Sequence, residues 1–178
     1  MISYSKSTLF CFQTVCYNID NNKLIQTNMY SKKIYIASDH GGYQLKKRLI
    51  RYVENELELK IEDLGPHEHV EGDDYPDYVI PLAHKVVETD GRGIVICKNG
   101  VGVSMAVNKV AGIRCGIGYN IAVAESMMND DNTNVLALAA YLSSEEHAMA
   151  IVKKWLETEF SGERRHVRRL EKVAELDK

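Results

Sequence analysis

From Lys32 onward the chain repeats one pattern: a short apolar run, a polar or glycine-bearing turn, then a segment whose apolar residues recur at helical spacing. Ile34-Tyr35-Ile36-Ala37 reads as a buried strand, and Ser38 to Gly42 as the turn that leaves it. Tyr43, Leu45, Leu49, Tyr52 and Val53 then mark a helix running to Asn55. Further strands are predicted at Leu59-Lys60-Ile61, Gly93–Ile96, Cys115–Ile117 and Val135–Leu138. Helices are predicted at Tyr78–Glu88, from the turn at Gly100–Gly102 through Lys109, at Ile121–Met128, and at Arg164–Leu176. A helix over Ser144–Thr158 opens on a capping box at Ser143 or Ser144 with Glu145-Glu146 behind it. Strands separated in this way by helices pair in parallel, because parallel neighbours need crossover connections. The expected fold is α/β, a Rossmann-like three-layer αβα sandwich on a five-stranded parallel sheet, occupying residues 32–178.

Residues 1–31 do not follow the pattern. They show neither helical period nor strand alternation, and are expected to form an extension outside the fold. A secretory leader would want a basic start and a longer apolar run than Leu9–Phe12. The 178 residues suffice for one domain with a full core. A net charge of −3 offers no general attraction to nucleic acid or an anionic membrane, and neither is expected as a partner. No apolar run reaches the roughly 18 residues of a transmembrane helix. Cys11, Cys16, Cys97 and Cys115 have no metal-ligand spacing, and a chain of this size needs no disulfides. A reducing, cytoplasmic setting with no metal and no cofactor is the expectation.

In open parallel sheets, ligands sit beyond the carboxyl ends of the strands. That rule selects the turns after Ala37, Ile96 and Leu138. The second of these, Cys97-Lys98-Asn99-Gly100-Val101-Gly102-Val103-Ser104, runs from a strand through glycines into a helix. Such a turn gathers backbone N–H groups at a helix N-terminus, an arrangement that holds phosphate or an oxyanion or is simply a tight turn. Cys97 ends the strand, and oriented amides beside a thiol favour the thiolate, although a buried apolar cysteine is the alternative. Cys115, mid-strand, reads as such a core cysteine. Asp39 and His40 can hold hydroxyls and a phosphate, while Ser38 or Asp39 can also cap the helix at Tyr43. Gly162–Arg169 concentrates four arginines, with Arg165 and Arg169 four apart on one helical face, a spacing suited to phosphate as well as to a solvated basic face.

These segments resemble the ribose-5-phosphate isomerase B family, which includes the galactose-6-phosphate isomerase subunits. The likeness is carried by Ile36-Ala37-Ser38-Asp39-His40-Gly41-Gly42, by Asp74-Tyr75-Pro76 and by Gly93-Ile94-Val95-Ile96-Cys97. It continues through Asn99-Gly100-Val101-Gly102, Ala111-Gly112-Ile113-Arg114, Asn132-Thr133-Asn134-Val135-Leu136 and Arg165-His166-Val167-Arg168-Arg169-Leu170-Glu171. It spans Lys33 to Lys178 and leaves the first thirty residues unmatched.

The resemblance implies an aldose–ketose isomerase working through a cis-enediolate without metal, in homodimers or tetramers whose sites are shared across the interface. It implies Cys97 as the base and Asn99 with the amides of Gly100, Val101, Gly102 and Val103 as the anion hole. Asp39, His40 and Tyr75 would contact substrate, Arg165 and Arg169 the phosphate, and the neighbouring subunit's turn near Asp130 would complete the site. A branch of the family uses a glutamate base where this chain has Val103.

The chain departs from the family pattern at several positions. Lys98-Asn99 stands where the family usually has Gly-Thr. Asp130 and Asp131 stand where it has a ring-opening histidine followed by asparagine. An aspartate serves there only with a weakened acidity, which a second aspartate favours. Tyr141 replaces an arginine, and Arg164 is a one-residue insertion. The expected reaction interconverts ribose 5-phosphate and ribulose 5-phosphate in the pentose phosphate pathway. Isomerisation of a hexose 6-phosphate, and sugar-phosphate binding without turnover, are the alternatives.

Overall fold

The computed structural model describes residues 32–177 in full and, of the first 31, the backbone of three strands. The chain divides into two compact units, Met1–Ser31 and Lys32–Lys178. In the first, β1 (Leu9–Phe12), β2 (Val15–Asn18) and β3 (Lys23–Gln26) form an antiparallel sheet in the order β1-β2-β3. The sequence shows no strand alternation over this segment. Each strand is only four residues long, too short for a period of two to stand out in the sequence.

The second unit alternates strand and helix. Its first half comprises β4 (Ile34–Ser38), α1 (Tyr43–Asn55), β5 (Ile61–Asp63), α2 (Pro76–Thr89), β6 (Arg92–Cys97) and α3 (Val101–Val107). Its second half comprises β7 (Cys115–Ile117), α4 (Ile121–Asn129), β8 (Val135–Ala139), α5 (Glu145–Glu157) and α6 (Arg164–Ala174). The five strands pair in parallel in the order β5-β4-β6-β8-β7. One strand sits two residues later than expected. Glu58 takes a positive φ of 55° and the Leu59 N–H donates back to the Val53 carbonyl, so the chain is still turning where Leu59 reads as strand.

Side chains alternate across the sheet, and both faces are covered. Val95 and Cys97 of β6 join Tyr35, Ala37, Val135 and Ala137 under Val79, Leu82 and Val86 of α2 and Val103 and Val107 of α3. On the opposite face α5 packs against α1 and α4, with Trp155 fully buried and its Nε1–H donating to Thr133 Oγ1 at 2.9 Å. Ser144, not Ser143, caps α5 by accepting the His147 N–H. Among the described residues no helix is long and apolar enough to cross a membrane.

The parallel order gives the sheet two chemically different edges. Ser38, Cys97, Ile117 and Ala139 end their strands at one edge, while Ile34, Arg92, Cys115 and Val135 begin theirs at the other. Helices α4 and α5 both return to the second edge. There the Arg92 guanidinium donates to the Trp155 and Leu156 carbonyls, and the Ser161 N–H to the Asn129 carbonyl.

Candidate active site

Three turns meet at the carboxyl edge because backbone hydrogen bonds continue past the strands. The Asp39 N–H donates to Ile96 O at 3.3 Å, Ala140 N–H to Cys97 O at 2.9 Å and Tyr141 N–H to Lys98 O at 3.0 Å. Gly42 permits the closest of these approaches. A Cβ there would lie 2.6 Å from the Ile96 carbonyl oxygen, so α1 starts directly on the end of β6 only because the position is glycine.

Cys97 closes β6 with its side chain on the face covered by α2 and α3, and 5% of it is exposed. The Gly100 N–H donates to its Sγ at 3.2 Å. Gly100 takes a left-handed φ of 77°, which turns the chain from strand to helix within three residues and aims that N–H back at the sulfur. The Val101 N–H donates to Asn99 Oδ1 at 3.0 Å, and the same oxygen lies 3.7 Å from Cys97 Sγ. Two of the four amides expected in the anion hole are thereby engaged within the turn. Gly102 and Val103 supply the next first-turn N–H groups of α3, which have no partner inside a helix. The Val103 side chain is wholly buried in the core, so only its amide can face a ligand. Tyr75 lies against this turn: a Cβ on Gly102 would be 2.9 Å from the Tyr75 Cζ.

The turn after β4 carries the second group. Asp39 is 7% exposed, and its Oδ1 accepts the Gly42 N–H at 2.9 Å, bracing the turn one residue ahead of α1. The Ser38 hydroxyl is buried and caps nothing. His40 is anchored twice to one oxygen, Asp73 Oδ1, through its backbone N–H at 2.8 Å and its Nδ1 at 2.7 Å. The hydrogen bond to Asp73 is the main cause of a raised His40 pKa; the charges of Asp39 and Asp73 add to it, while desolvation and Lys98 oppose it. The Tyr78 phenol nearby is also raised, chiefly by burial and then by the charge of Asp73.

Sequence reasoning singled out Asp74 and missed Asp73. Two consecutive acids precede Tyr75-Pro76, and only folding shows which one reaches the imidazole.

The remaining residues expected in the site lie at the amino edge. Asp130 ends α4, where its Oδ1 accepts from Asn129 Nδ2 at 2.7 Å and stands 3.7 Å from His166 Nδ1. His166 is buried and its Nδ1 also lies 2.9 Å from Ser161 Oγ. Asp131 is exposed, as are Arg165 and Arg169 on α6; the Arg165 Nε pairs with Glu163 at 2.9 Å.

Along the sheet, Val135 pairs with Gly93 and Ala139 with Cys97. The two groups are thus separated by four strand steps, on the order of 13 Å of extended backbone. One chain brings Cys97, Asn99, Asp39, His40, Tyr75 and the Gly100–Val103 turn together. It does not bring them to Asp130, Asp131, Arg165 or Arg169. Open grooves on the described surface lie elsewhere, one of them lined by Ile80, His84, Val87 and Lys109, and none of those described includes Cys97. Cys115, read as a core cysteine, is only half-buried and packs against the core, where desolvation pushes its thiol up to about 12.

Residues 34–173 match the family described as Ribose/Galactose Isomerase. The ribose-5-phosphate isomerase B of Mycobacterium tuberculosis is 31% identical over 151 residues, covering 84% of this chain and 93% of that protein. The crystal structure of ribose-5-phosphate isomerase B from Mycoplasma genitalium with bound ribulose-5-phosphate superposes with a TM-score of 0.79 at 36% identity, covering 83% of this chain and 97% of that one. The corresponding Clostridium thermocellum structure gives a TM-score of 0.78 at 38% identity, over 82% of this chain and 97% of that one. With the parallel five-stranded sheet and the Cys97 turn described above, these likenesses show that the chain belongs to the ribose/galactose isomerase family and is an aldose–ketose isomerase.

Proposed function

We propose that the protein interconverts ribose 5-phosphate and ribulose 5-phosphate, with Cys97 as the base. The observation that carries this reading is the sulfur at the end of β6, held by the Gly100 N–H at 3.2 Å and flanked by Asn99. A thiolate there takes the proton from C2 of the open-chain aldose and returns it to C1 of the enediolate. The negative charge developing on the carbonyl oxygen calls for fixed donors. The Gly102 and Val103 amides supply them, with the Asn99 amide nitrogen, whose own oxygen is already taken by Val101. His40, whose pKa the hydrogen bond to Asp73 raises, and Tyr75 hold the substrate's oxygens. The pentose assignment draws on the relatives named ribose-5-phosphate isomerase B and on the ribulose-5-phosphate complex of the Mycoplasma genitalium enzyme.

Asp130, Asp131, Arg165 and Arg169 enter the same reading from a second copy of the chain. Because they sit at the opposite edge of the sheet, a complete site takes its base from one copy and its arginines from another, and the functional unit is a homodimer.

A coupled assay on the purified protein tests the chemistry. Cys97→Ala is expected to lower kcat by about 10²–10⁴-fold, the usual worth of a positioned base, while the protein stays folded. Wild-type turnover in that variant removes the base assignment. A higher kcat/KM on allose 6-phosphate or galactose 6-phosphate than on ribose 5-phosphate removes the pentose assignment.

A further inference from the structure

Two residues beside the Cys97 turn touch one another. Lys98 follows Cys97 at the end of β6, and Tyr141 lies two residues past the end of β8. The Tyr141 N–H donates to the Lys98 carbonyl at 3.0 Å, and the Lys98 Nζ lies 5.7 Å from the centroid of the Tyr141 ring. The lysine stem runs across Gly41: a Cβ on Gly41 would meet Lys98 Cγ at 2.5 Å, so any larger residue there would push the stem away. The ammonium is therefore steered by a glycine on one side and an aromatic ring on the other. Among the described ion pairs none involves Lys98. Its charge is close enough to His40 to act against protonation of that imidazole.

A flexible lysine held in place, without a carboxylate partner, beside a second cation and one residue from the base, is arranged for an anion that arrives from outside. The Tyr141 ring stands just past the end of β8, the strand next to β6, and the cation it faces comes from the end of β6.

We propose that Lys98 binds the phosphate of the sugar-phosphate substrate, with Tyr141 as the positioning residue that holds its ammonium at the mouth of the site. This rests on the ribose 5-phosphate reading above and extends it to a further residue beside the base. An ammonium is a compact point charge, whereas a guanidinium grips phosphate in a planar fork. Binding through Lys98 therefore depends more on ionic strength than on the orientation of the phosphate.

Calorimetric titration of the wild-type protein and of Lys98→Met, Lys98→Arg, Tyr141→Phe and Tyr141→Leu with ribose 5-phosphate tests this, alongside steady-state kinetics. Lys98→Met is expected to weaken binding by about tenfold or more, the usual worth of a charged hydrogen bond, and to raise KM while leaving kcat within about threefold. It should also flatten the salt dependence of kcat/KM. Lys98→Arg and Tyr141→Phe keep the charge and the ring and should stay near wild type. Tyr141→Leu should weaken binding severalfold, and a second arginine introduced as Tyr141→Arg should rescue Lys98→Met. Lys98 is exposed, so the variants should melt at the wild-type temperature.

A Lys98→Met protein with wild-type Kd, KM and salt dependence overturns the proposal while leaving the isomerase reading intact. Lys98-dependent binding without turnover supports the proposal and removes the ribose 5-phosphate assignment. A wild-type protein that does not bind ribose 5-phosphate overturns both.

Discussion

His40 owes its raised pKa to a residue with no place in the motif that announced it. Both its backbone N–H and its Nδ1 converge on Asp73 Oδ1, and that hydrogen bond is the first cause of its raised pKa. Folding raises the value above the ordinary 6.5, so the pair's contribution to stability is complete below that pH and is lost as pH climbs through the folded value. Asp73→Asn keeps the shape and an acceptor oxygen but removes the charge. The expected result is a His40 titration, followed by NMR, that moves down toward the unperturbed imidazole range. The alkaline limb of the kcat/KM profile should move down in pH with it. An unmoved limb would mean that the imidazolium plays no part in binding. The thiol of Cys97 differs in kind, since its position at a strand end before Gly100 is legible from the sequence alone. What the sequence does not reveal is that the Gly100 and Val101 amides turn inward, to the sulfur and to Asn99, so that of the expected anion-hole amides only those of Gly102 and Val103 are not engaged in these two bonds.

The elements of the second unit are readable because each has one dominant period, but a period does not say what partners a polar residue inside it. Lys46 is such a residue. It lies on the buried stripe of α1 beside Tyr43, Leu45, Leu49 and Val53. Its Nζ is fully buried and donates to Asp63 Oδ1 and to the Pro66 carbonyl, both at 2.6 Å, while desolvation lowers its pKa. The same loop gives its Gly65 carbonyl to the Ser38 N–H, so α1 fixes the chain just before the Asp39-His40 turn. Lys46→Met fills the space but leaves Asp63 and Pro66 without their donor. A loss of about 3 kcal/mol is expected, the lower end for breaking a buried pair, because Asp63 keeps some exposure to water. Urea denaturation measures it, and a change under about 1 kcal/mol would show that the pair carries no net stability. The N-terminal meander β1-β2-β3 was illegible for the opposite reason: its four-residue strands carry too little pattern for any period to emerge.

For the whole molecule, the decisive fact is that one parallel sheet has two unlike edges, and this chain has placed half of its expected chemistry at each. Cys97, Asn99 and His40 follow strands at the carboxyl edge; Asp130 and Arg165 follow helices that have returned to the amino edge. Motif reading cannot separate the halves, because position along the sequence carries no distance; the connectivity of a parallel sheet does, since every returning helix delivers its end to the side opposite the strand tip. Mixing two inactive variants turns this into a measurement. On the proposed function, a Cys97→Ala homodimer would lack both bases, and an Arg165→Ala homodimer would lack a phosphate contact at both sites. If sites are shared, a dimer with one chain of each kind has one site with neither group and one with both. Random exchange of equal amounts makes half the dimers mixed, so activity should recover to about one quarter of wild type. If each site were built within a single chain, no mixture could assemble an intact one, and the activity after exchange would stay at the sum of the two variants' residual rates. Native mass spectrometry of the mixture, confirming that the chains have exchanged, makes that second outcome decisive against the shared site.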